Sequence, residues 1–239
     1  MNIRKVKNAA IWLYGSYARG CQDQYSDIDI LIVSDHSVLL KKDDLPFAIT
    51  TEKLSLSSYS WTAFEKMASY GSLFLHHLRQ EAKPIFESNE VKGKISKILS
   101  RLCTYKRTMK DIEAFFQVIE DVEESIKYNC SYIYELSILG TVLRHSCILG
   151  CYIDDIQAFG RIDPVNTVVS EWNLDKAISN EFKDLYCFRL FSDRRNCTPP
   201  KANLEYLMLW CSRIKLVLKN LQERASVCER KMLTTNFSS

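Results

Sequence analysis

Two stretches decide the fold of the first part of this chain: residues 13–20, Leu-Tyr-Gly-Ser-Tyr-Ala-Arg-Gly, and residues 26–33, Ser-Asp-Ile-Asp-Ile-Leu-Ile-Val. The apolar run before Gly15 predicts a strand, and the β-branched run after Asp27 predicts another. Gly15 lets the backbone approach a ligand closely, and Ser16 adds a hydroxyl where a helix is predicted to begin. Amides at the start of a helix attract anions, so this turn is typical of a phosphate cradle.

Asp27 and Asp29 stand two residues apart at the start of the second strand. Side chains at positions i and i+2 of a strand point to the same face, so both carboxylates should converge. Two carboxylates this close repel each other unless a cation lies between them, and oxygen ligands beside phosphate suit Mg²⁺. A Gly-Ser turn or an Asp-x-Asp pair alone is typical of ordinary turns and strand ends. Their combination, in this order, predicts a metal and phosphate site.

The pattern around these stretches predicts a small α/β unit over residues 1–90. It consists of strands over 9–14, 28–33 and within 47–59, helices over 61–71 and 72–80, and an extended segment over 83–87.

After residue 90 apolar residues recur at helical spacing, which predicts an all-α bundle over residues 91–239. Residues 132–153 are apolar on most faces and are predicted to form its central helix. Residues 154–165 are predicted to be a loop, and residues 226–239 a polar, flexible tail. The predicted fold class is therefore α+β, a sheet unit followed by a helical bundle.

Composition excludes some classes of protein. The 239 residues are 46% apolar and carry a net charge of +3, so the chain is not disordered and charge alone does not predict nucleic-acid binding. No apolar stretch approaches 18 residues, which predicts no membrane association. The nine cysteines form no C-x-x-C pair, which favours a cytoplasmic protein with reduced thiols. Cys147 and Cys151 have a spacing that could offer two metal ligands, without an evident third.

The quoted residues resemble the signature of the polymerase-β-like nucleotidyltransferase superfamily, Gly-Ser, ten residues, then Asp-x-Asp. Ten residues separate Ser16 from Asp27. The longer form Gly-Ser-x-Ala-Arg-Gly followed by Ser-Asp-x-Asp resembles the minimal nucleotidyltransferase subgroup, which includes antitoxins paired with HEPN-domain ribonucleases. This resemblance covers about residues 8–90. It implies a mixed β-sheet, a Mg²⁺ cofactor with Mn²⁺ as an alternative, and an NTP donor, with ATP expected.

The resemblance also implies roles for individual residues. It implies nucleotide contacts from Gly15, Ser16, Arg19 and Ser26, with metal ligation and catalysis by Asp27 and Asp29. The family usually adds a third carboxylate, which acts as general base, from the next strand. Glu52 is the acid available there, and in a regular strand it lies on the face opposite Ser55 and Ser57.

The expected activity is transfer of NMP, AMP in particular, from NTP to a hydroxyl of a toxin-like protein partner or of RNA. Two alternatives stay open: a catalytically degenerate nucleotidyltransferase acting as a nucleotide sensor or interaction scaffold, and an aminoglycoside-type nucleotidyltransferase. The second part resembles HEPN-like helical domains. Active HEPN ribonucleases use Arg, four to six residues, then His, and this spacing is missing, so ribonuclease activity is not expected. A sheet edge and a long helix both permit a homodimer.

Overall fold

A computed structural model describes residues 8–35, 54–128, 131–193, 195 and 197–236. The chain divides into two compact units, Met1–Lys106 and Arg107–Ser239. The first contains the sheet and the second is helical, so the α+β class predicted from the sequence is confirmed.

The sheet of the first unit has four strands. They are β1 (Ala10–Tyr14), β2 (Ile28–Ser34), β3 (Leu54–Ser60) and β4 (Lys83–Glu87). Their order across the sheet is β3-β2-β1-β4. β1 is antiparallel to β2 and to β4, whereas β2 and β3 are parallel. The expectation of a small mixed sheet is therefore confirmed.

Alternation along the strands divides the apolar side chains between two faces of the sheet. One face belongs to the main core of the unit, together with the helices α2 (Trp61–Ser69), α3 (Leu73–Glu81) and α4 (Lys94–Ser100). Its buried strand residues are Ala10, Trp12, Tyr14, Leu31 and Val33. The opposite face holds a smaller cluster built on Ile11, Ile30 and Ile32.

The first compact unit extends beyond residue 90. Val91, Ile95 and Leu99 are buried in the same core as the sheet, because α4 packs its apolar side there. The change from strands to helices near residue 90 therefore marks a change of secondary structure, whereas the unit itself ends at Lys106.

The second unit is a bundle of helices. It contains α5 (Thr108–Ser125), α6 (Tyr132–Ile153), α7 (Asp163–Glu171), α8 (Lys176–Ser192) and α9 (Leu204–Asn236). The central helix α6 has the bounds that the sequence predicts. Within the described residues, α6 is also the one helix long and apolar enough to cross a membrane, and 61% of its apolar window is buried. A buried core helix has the same composition, so this is weak evidence for a membrane span.

Two sequence predictions for this unit are wrong. Residues 163–165, predicted to be loop, begin α7, because Pro164 occupies the first turn of a helix, where its missing N–H costs nothing. Residues 226–236, predicted to be a flexible tail, continue α9 as helical backbone.

The cysteines also depart from expectation. A disulfide joins Cys187 of α8 to Cys197 in the following loop, with their Cα atoms 6.2 Å apart. The prediction of reduced thiols is therefore wrong for this pair, and because disulfides are rare in reducing compartments, the pair does not support a cytoplasmic location. Cys147 and Cys151 are buried thiols whose pKa values are raised by burial. Among the described residues they join no group of three side chains suited to a metal ion.

Candidate active site

The end of β1 and the start of β2 bring the two motifs together. Tyr14, the last residue of β1, is paired with Asp29, the second residue of β2, because the strands run antiparallel. The chain leaves Tyr14 directly into α1 (Gly15–Arg19), so the Gly-Ser turn lies beside the Asp29 carboxylate. Local strand pairing therefore produces the juxtaposition that the sequence predicts.

Gly15 is required by this close approach. Its φ is +74°, in the left-handed region that other residues rarely adopt. A Cβ atom at Gly15 would collide with the side-chain oxygen Oδ2 of Asp29. Only glycine leaves space for the carboxylate, which is a physical reason for a glycine at this point of the motif.

The rest of the turn is compact. α1 is followed by Gly20, also with a φ of +74°, and the backbone N–H of Cys21 donates to the carbonyl of Ser16 at 3.0 Å. Ser16 is half-buried. Ser26 is buried, and its hydroxyl donates to the Asp23 carboxylate at 2.8 Å and accepts from the Asp23 amide at 2.9 Å. Ser26 therefore closes the loop before Asp27, while a nucleotide contact from it stays a prediction.

Asp29 has an electrostatic environment that disfavours its charge. Burial raises its pKa to about 6, a hydrogen bond from Ser55 works in the opposite direction, and the negative charge of Asp27 raises the pKa further. The two aspartates are therefore close enough to repel each other, as their spacing predicts.

A divalent cation would relieve this repulsion. Mg²⁺ is bound in proteins through one or two carboxylates together with substrate phosphates and water. Within the described ranges no group of three His, Cys, Asp or Glu side chains could hold a metal by itself. The Asp27–Asp29 pair therefore offers two oxygen ligands that fit a Mg²⁺ ion which a bound nucleotide helps to hold.

β3 lacks an acid on the strand that the structure describes. Ser55 pairs with Asp29 across the parallel β2–β3 ladder, and Ser57 lies two residues further along the same face. The Ser57 hydroxyl is 2.8 Å from the Tyr14 hydroxyl. Glu52, the predicted third carboxylate, lies outside the described residues, so its role as general base stays a prediction.

Tyr14 connects the strand to α3. Its ring packs edge-on against Phe74, with ring centroids 5.4 Å apart, and against His77 at 6.2 Å. Burial raises the pKa of its hydroxyl to about 12, with the Asp29 and Glu81 charges adding to the effect. Tyr14 therefore stays protonated, and its hydroxyl shares a hydrogen bond with the Ser57 hydroxyl.

Glu81, the last residue of α3, is a site residue that sequence reasoning missed. Its carboxylate accepts from the backbone N–H of Gly15, pairs with Arg19 Nη1, and lies 2.8 Å from His77 Nε2. Burial would raise its pKa, but the hydrogen bonds and positive charges of His77 and Arg19 outweigh burial and lower it. The sequence signal was weak, because a His and a Glu four residues apart on a helix usually form an exposed pair.

The ion pair with Glu81 therefore fixes the orientation of the Arg19 side chain. Burial would lower the pKa of its guanidinium, but hydrogen bonds to Cys21 and Glu81 raise it, and the side chain remains 30% exposed. The structure brings together Gly15, Ser16, Arg19 and Asp29, with the charge of Asp27 acting on Asp29.

Comparisons with known proteins identify the family of this chain. The family model of the nucleotidyltransferase domain matches residues 2–129, just over half of the chain. A search of curated proteins finds no match. Among solved structures, a nucleotidyltransferase-like protein from Exiguobacterium sibiricum 255-15 is similar at 11% identity and a TM-score of 0.38, over 95% of this chain and 74% of that chain. On the evidence of the family model, the chain belongs to the nucleotidyltransferase domain family.

Proposed function

We propose that this protein transfers NMP from a nucleoside triphosphate, ATP in particular, to a hydroxyl group and releases pyrophosphate. One observation carries the proposal. Gly15 packs without a side chain against the Asp29 carboxylate, so a phosphate-binding turn and a carboxylate pair meet at one point.

The chain's own residues would hold and orient the reactants. Asp27 and Asp29 would bind Mg²⁺, which when bound supplies charge neutralisation for the triphosphate. Gly15 and Ser16 would contact the phosphates, and Arg19 would orient the departing pyrophosphate.

The reaction is a displacement at the α-phosphorus. A bond forms between the acceptor oxygen and the α-phosphorus, and the bond from that phosphorus to the pyrophosphate oxygen breaks. The acceptor's proton passes to a general base, for which Glu52 is the candidate. Pyrophosphate leaves with the electron pair of the broken bond.

The acceptor that we propose is a hydroxyl on a toxin-like protein or on RNA. The support is the resemblance of the Gly-Ser-x-Ala-Arg-Gly and Ser-Asp-x-Asp segments to the minimal nucleotidyltransferase subgroup, together with the helical second unit, which resembles HEPN-like domains. A homodimer of such chains is part of the same proposal.

A second candidate function rests on β3. Ser55 pairs with Asp29 on the parallel ladder, and β3 (Leu54–Ser60) contains no acid that could supply a third carboxylate. Serine cannot act as a general base at neutral pH, so the chain would then be a nucleotide sensor or interaction scaffold that binds nucleotide without turnover.

One experiment separates the two. The purified chain is incubated with each of four α-labelled NTPs, Mg²⁺ and cell lysate, and label transfer to protein and to RNA is measured. Transfer that requires Mg²⁺ and prefers ATP supports the enzyme. Nucleotide binding by calorimetry without any transfer supports the sensor, and neither binding nor transfer contradicts both.

A further inference from the structure

We propose that Glu81 is a positioning residue that fixes the Gly15 turn against Asp29. The inference rests on the proposed function, since its consequence is the placement of the nucleotide site. The carboxylate of Glu81 joins two parts of the unit that are far apart in sequence, the end of α3 and the junction between β1 and α1.

Three donors converge on this one carboxylate. The Gly15 amide and His77 Nε2 both contact Oε1 of Glu81, and Arg19 Nη1 contacts Oε2. The Glu81 side chain is only 7% exposed, so its charge has been taken out of water. A buried charge is tolerated when partners surround it, and losing one side of such an arrangement is costly.

α3 is a firm anchor for Glu81. Leu75 and Leu78 on the same helix are almost fully buried in the core of the unit, and His77 stands one helical turn before Glu81. The position of the Glu81 carboxylate is therefore fixed by α3. Its partners Arg19 and the Gly15 amide belong to the Gly-Ser turn and α1. Its effect reaches the reactants through Gly15 and Arg19.

The hydrogen bond from the Gly15 amide to Glu81 fixes the position of Gly15, where a side chain would collide with Asp29. Because Gly15 is in contact with the Asp29 carboxylate, a shift of the turn would change both the phosphate contacts and the space around the metal ligand. A displacement of about 1 Å at a reacting group can lower a rate by around a hundredfold.

Glu81 also has an electrostatic effect on nucleotide binding, which opposes its positioning effect. A negative charge beside the phosphate turn would repel a triphosphate, and the same charge contributes to the raised pKa of Asp29. If repulsion dominated, removing the charge would tighten nucleotide binding and increase turnover. Positioning predicts the reverse, so the sign of the effect decides.

The test uses the full chain with Glu81→Ala and Glu81→Gln. Glu65→Ala is the matched control, because Glu65 lies in the same unit and pairs with Lys94 at 2.9 Å, but its side chain is 52% exposed. Amide hydrogen exchange over residues 15–20 is measured without nucleotide, and kcat and KM are measured with labelled ATP.

Positioning predicts exchange over residues 15–20 that is faster by about tenfold or more in Glu81→Ala, since a charge-assisted hydrogen bond is lost. kcat falls in parallel with a smaller change in KM. Glu81→Gln, which keeps an acceptor for the Gly15 amide, is intermediate, and Glu65→Ala matches the wild type. Should Glu81→Ala fail to fold, Glu81→Gln carries the test.

Wild-type exchange over residues 15–20 in both Glu81 variants would overturn the inference, as would tighter nucleotide binding with faster turnover. A wild-type chain that transfers no nucleotide would contradict the proposed function instead, and the exchange measurement would still decide the positioning role.

Discussion

Glu81 in the first unit and Asp154 in the second are both acids at the end of a helix, and their surroundings differ. Asp154 accepts from Trp172 Nε1 at 2.6 Å and from Arg224 Nη1 at 3.1 Å, which ties the ends of α6 and α7 to α9. Glu81 pairs with Arg19 and contacts His77, but it also accepts from the Gly15 amide, and its charge raises the pKa of Asp29.

The comparison shows two arrangements of charged side chains. In the bundle, Glu123 pairs with Lys215, and Glu181 pairs with Arg213. In the sheet unit, Asp27 and Asp29 lie close together at the start of β2, and the pKa of Asp29 is raised. An acid that is paired with a cation of the same unit supports the fold. Two neighbouring carboxylates that repel each other favour the binding of a positively charged ligand.

The largest expected effect tests how much apolar packing contributes to the stability of the bundle beside its ion pairs. Phe182→Ala removes a fully buried ring and should lower the free energy of unfolding by about 3–5 kcal/mol. Phe191→Ala, on the same helix with 46% exposure, is the control and should change it little. Urea denaturation measures both, and equal losses would show that α8 is not buried as described.

The second prediction concerns the sheet unit, where shape at one point should govern activity. Gly15→Ala should lower nucleotide transfer by about a hundredfold, because the new Cβ displaces the Asp29 carboxylate. Gly20→Ala is a close control: Gly20 has the same φ of +74°, but no atom lies within 4 Å of its Cβ position. Equal losses in both variants would assign the effect to backbone strain instead of collision.

The third prediction is a pH dependence of the sheet unit. His76 is buried, and its Nε2 lies 3.1 Å from the Cys103 carbonyl, to which the neutral ring donates. Burial and the charge of Arg79 lower its pKa below 6.5. The unfolded chain therefore binds a proton that the folded chain does not, so stability is present above pH 6.5 and falls as the pH drops toward the folded pKa.

His76→Gln should remove this dependence, because an amide N–H can donate to the same carbonyl without titrating. The slope lost is at most about 1.4 kcal/mol per pH unit for one group. Urea midpoints between pH 8 and 5 measure it, and an unchanged slope in His76→Gln would assign the pH dependence to another group.

The smallest effect is expected for the exposed ion pairs of the bundle. Lys215 and Glu123 are 2.6 Å apart with side chains 36% and 30% exposed, so a double-mutant cycle with alanine should give a coupling of about 1 kcal/mol or less. The same cycle for Arg19 and Glu81, where Glu81 is 7% exposed, should give a larger coupling. The reverse order would contradict the distinction drawn between the two units.

Local pattern predicts a great deal of this molecule. The run of apolar residues over 132–153 predicts the bounds of α6. The β-branched run after Asp27 predicts the strand β2, which carries Asp29 near its start. The Gly-Ser turn and the Asp-x-Asp pair lie side by side because β1 and β2 pair as antiparallel strands. The order of the motifs predicts a shared site, but not this pairing.

What the sequence did not predict depends on tertiary contacts. Nothing in the sequence around Glu81 shows that its carboxylate reaches the Gly15 amide, since the contact spans 66 residues. The sequence pattern predicts a loop at Pro164, although proline also begins helices. The Cys187–Cys197 bond depends on how the chain returns after α8.

The most direct measurement of the central claim is Mg²⁺-dependent transfer of label from α-labelled ATP by Asp27→Asn and Asp29→Asn. Asn keeps the size of the side chain and removes the charge, so both variants should remain folded and lose transfer by at least about a hundredfold. Asp184→Asn, on the exposed side of α8, is the control and should match the wild type. Transfer at the wild-type rate by both site variants would contradict the account.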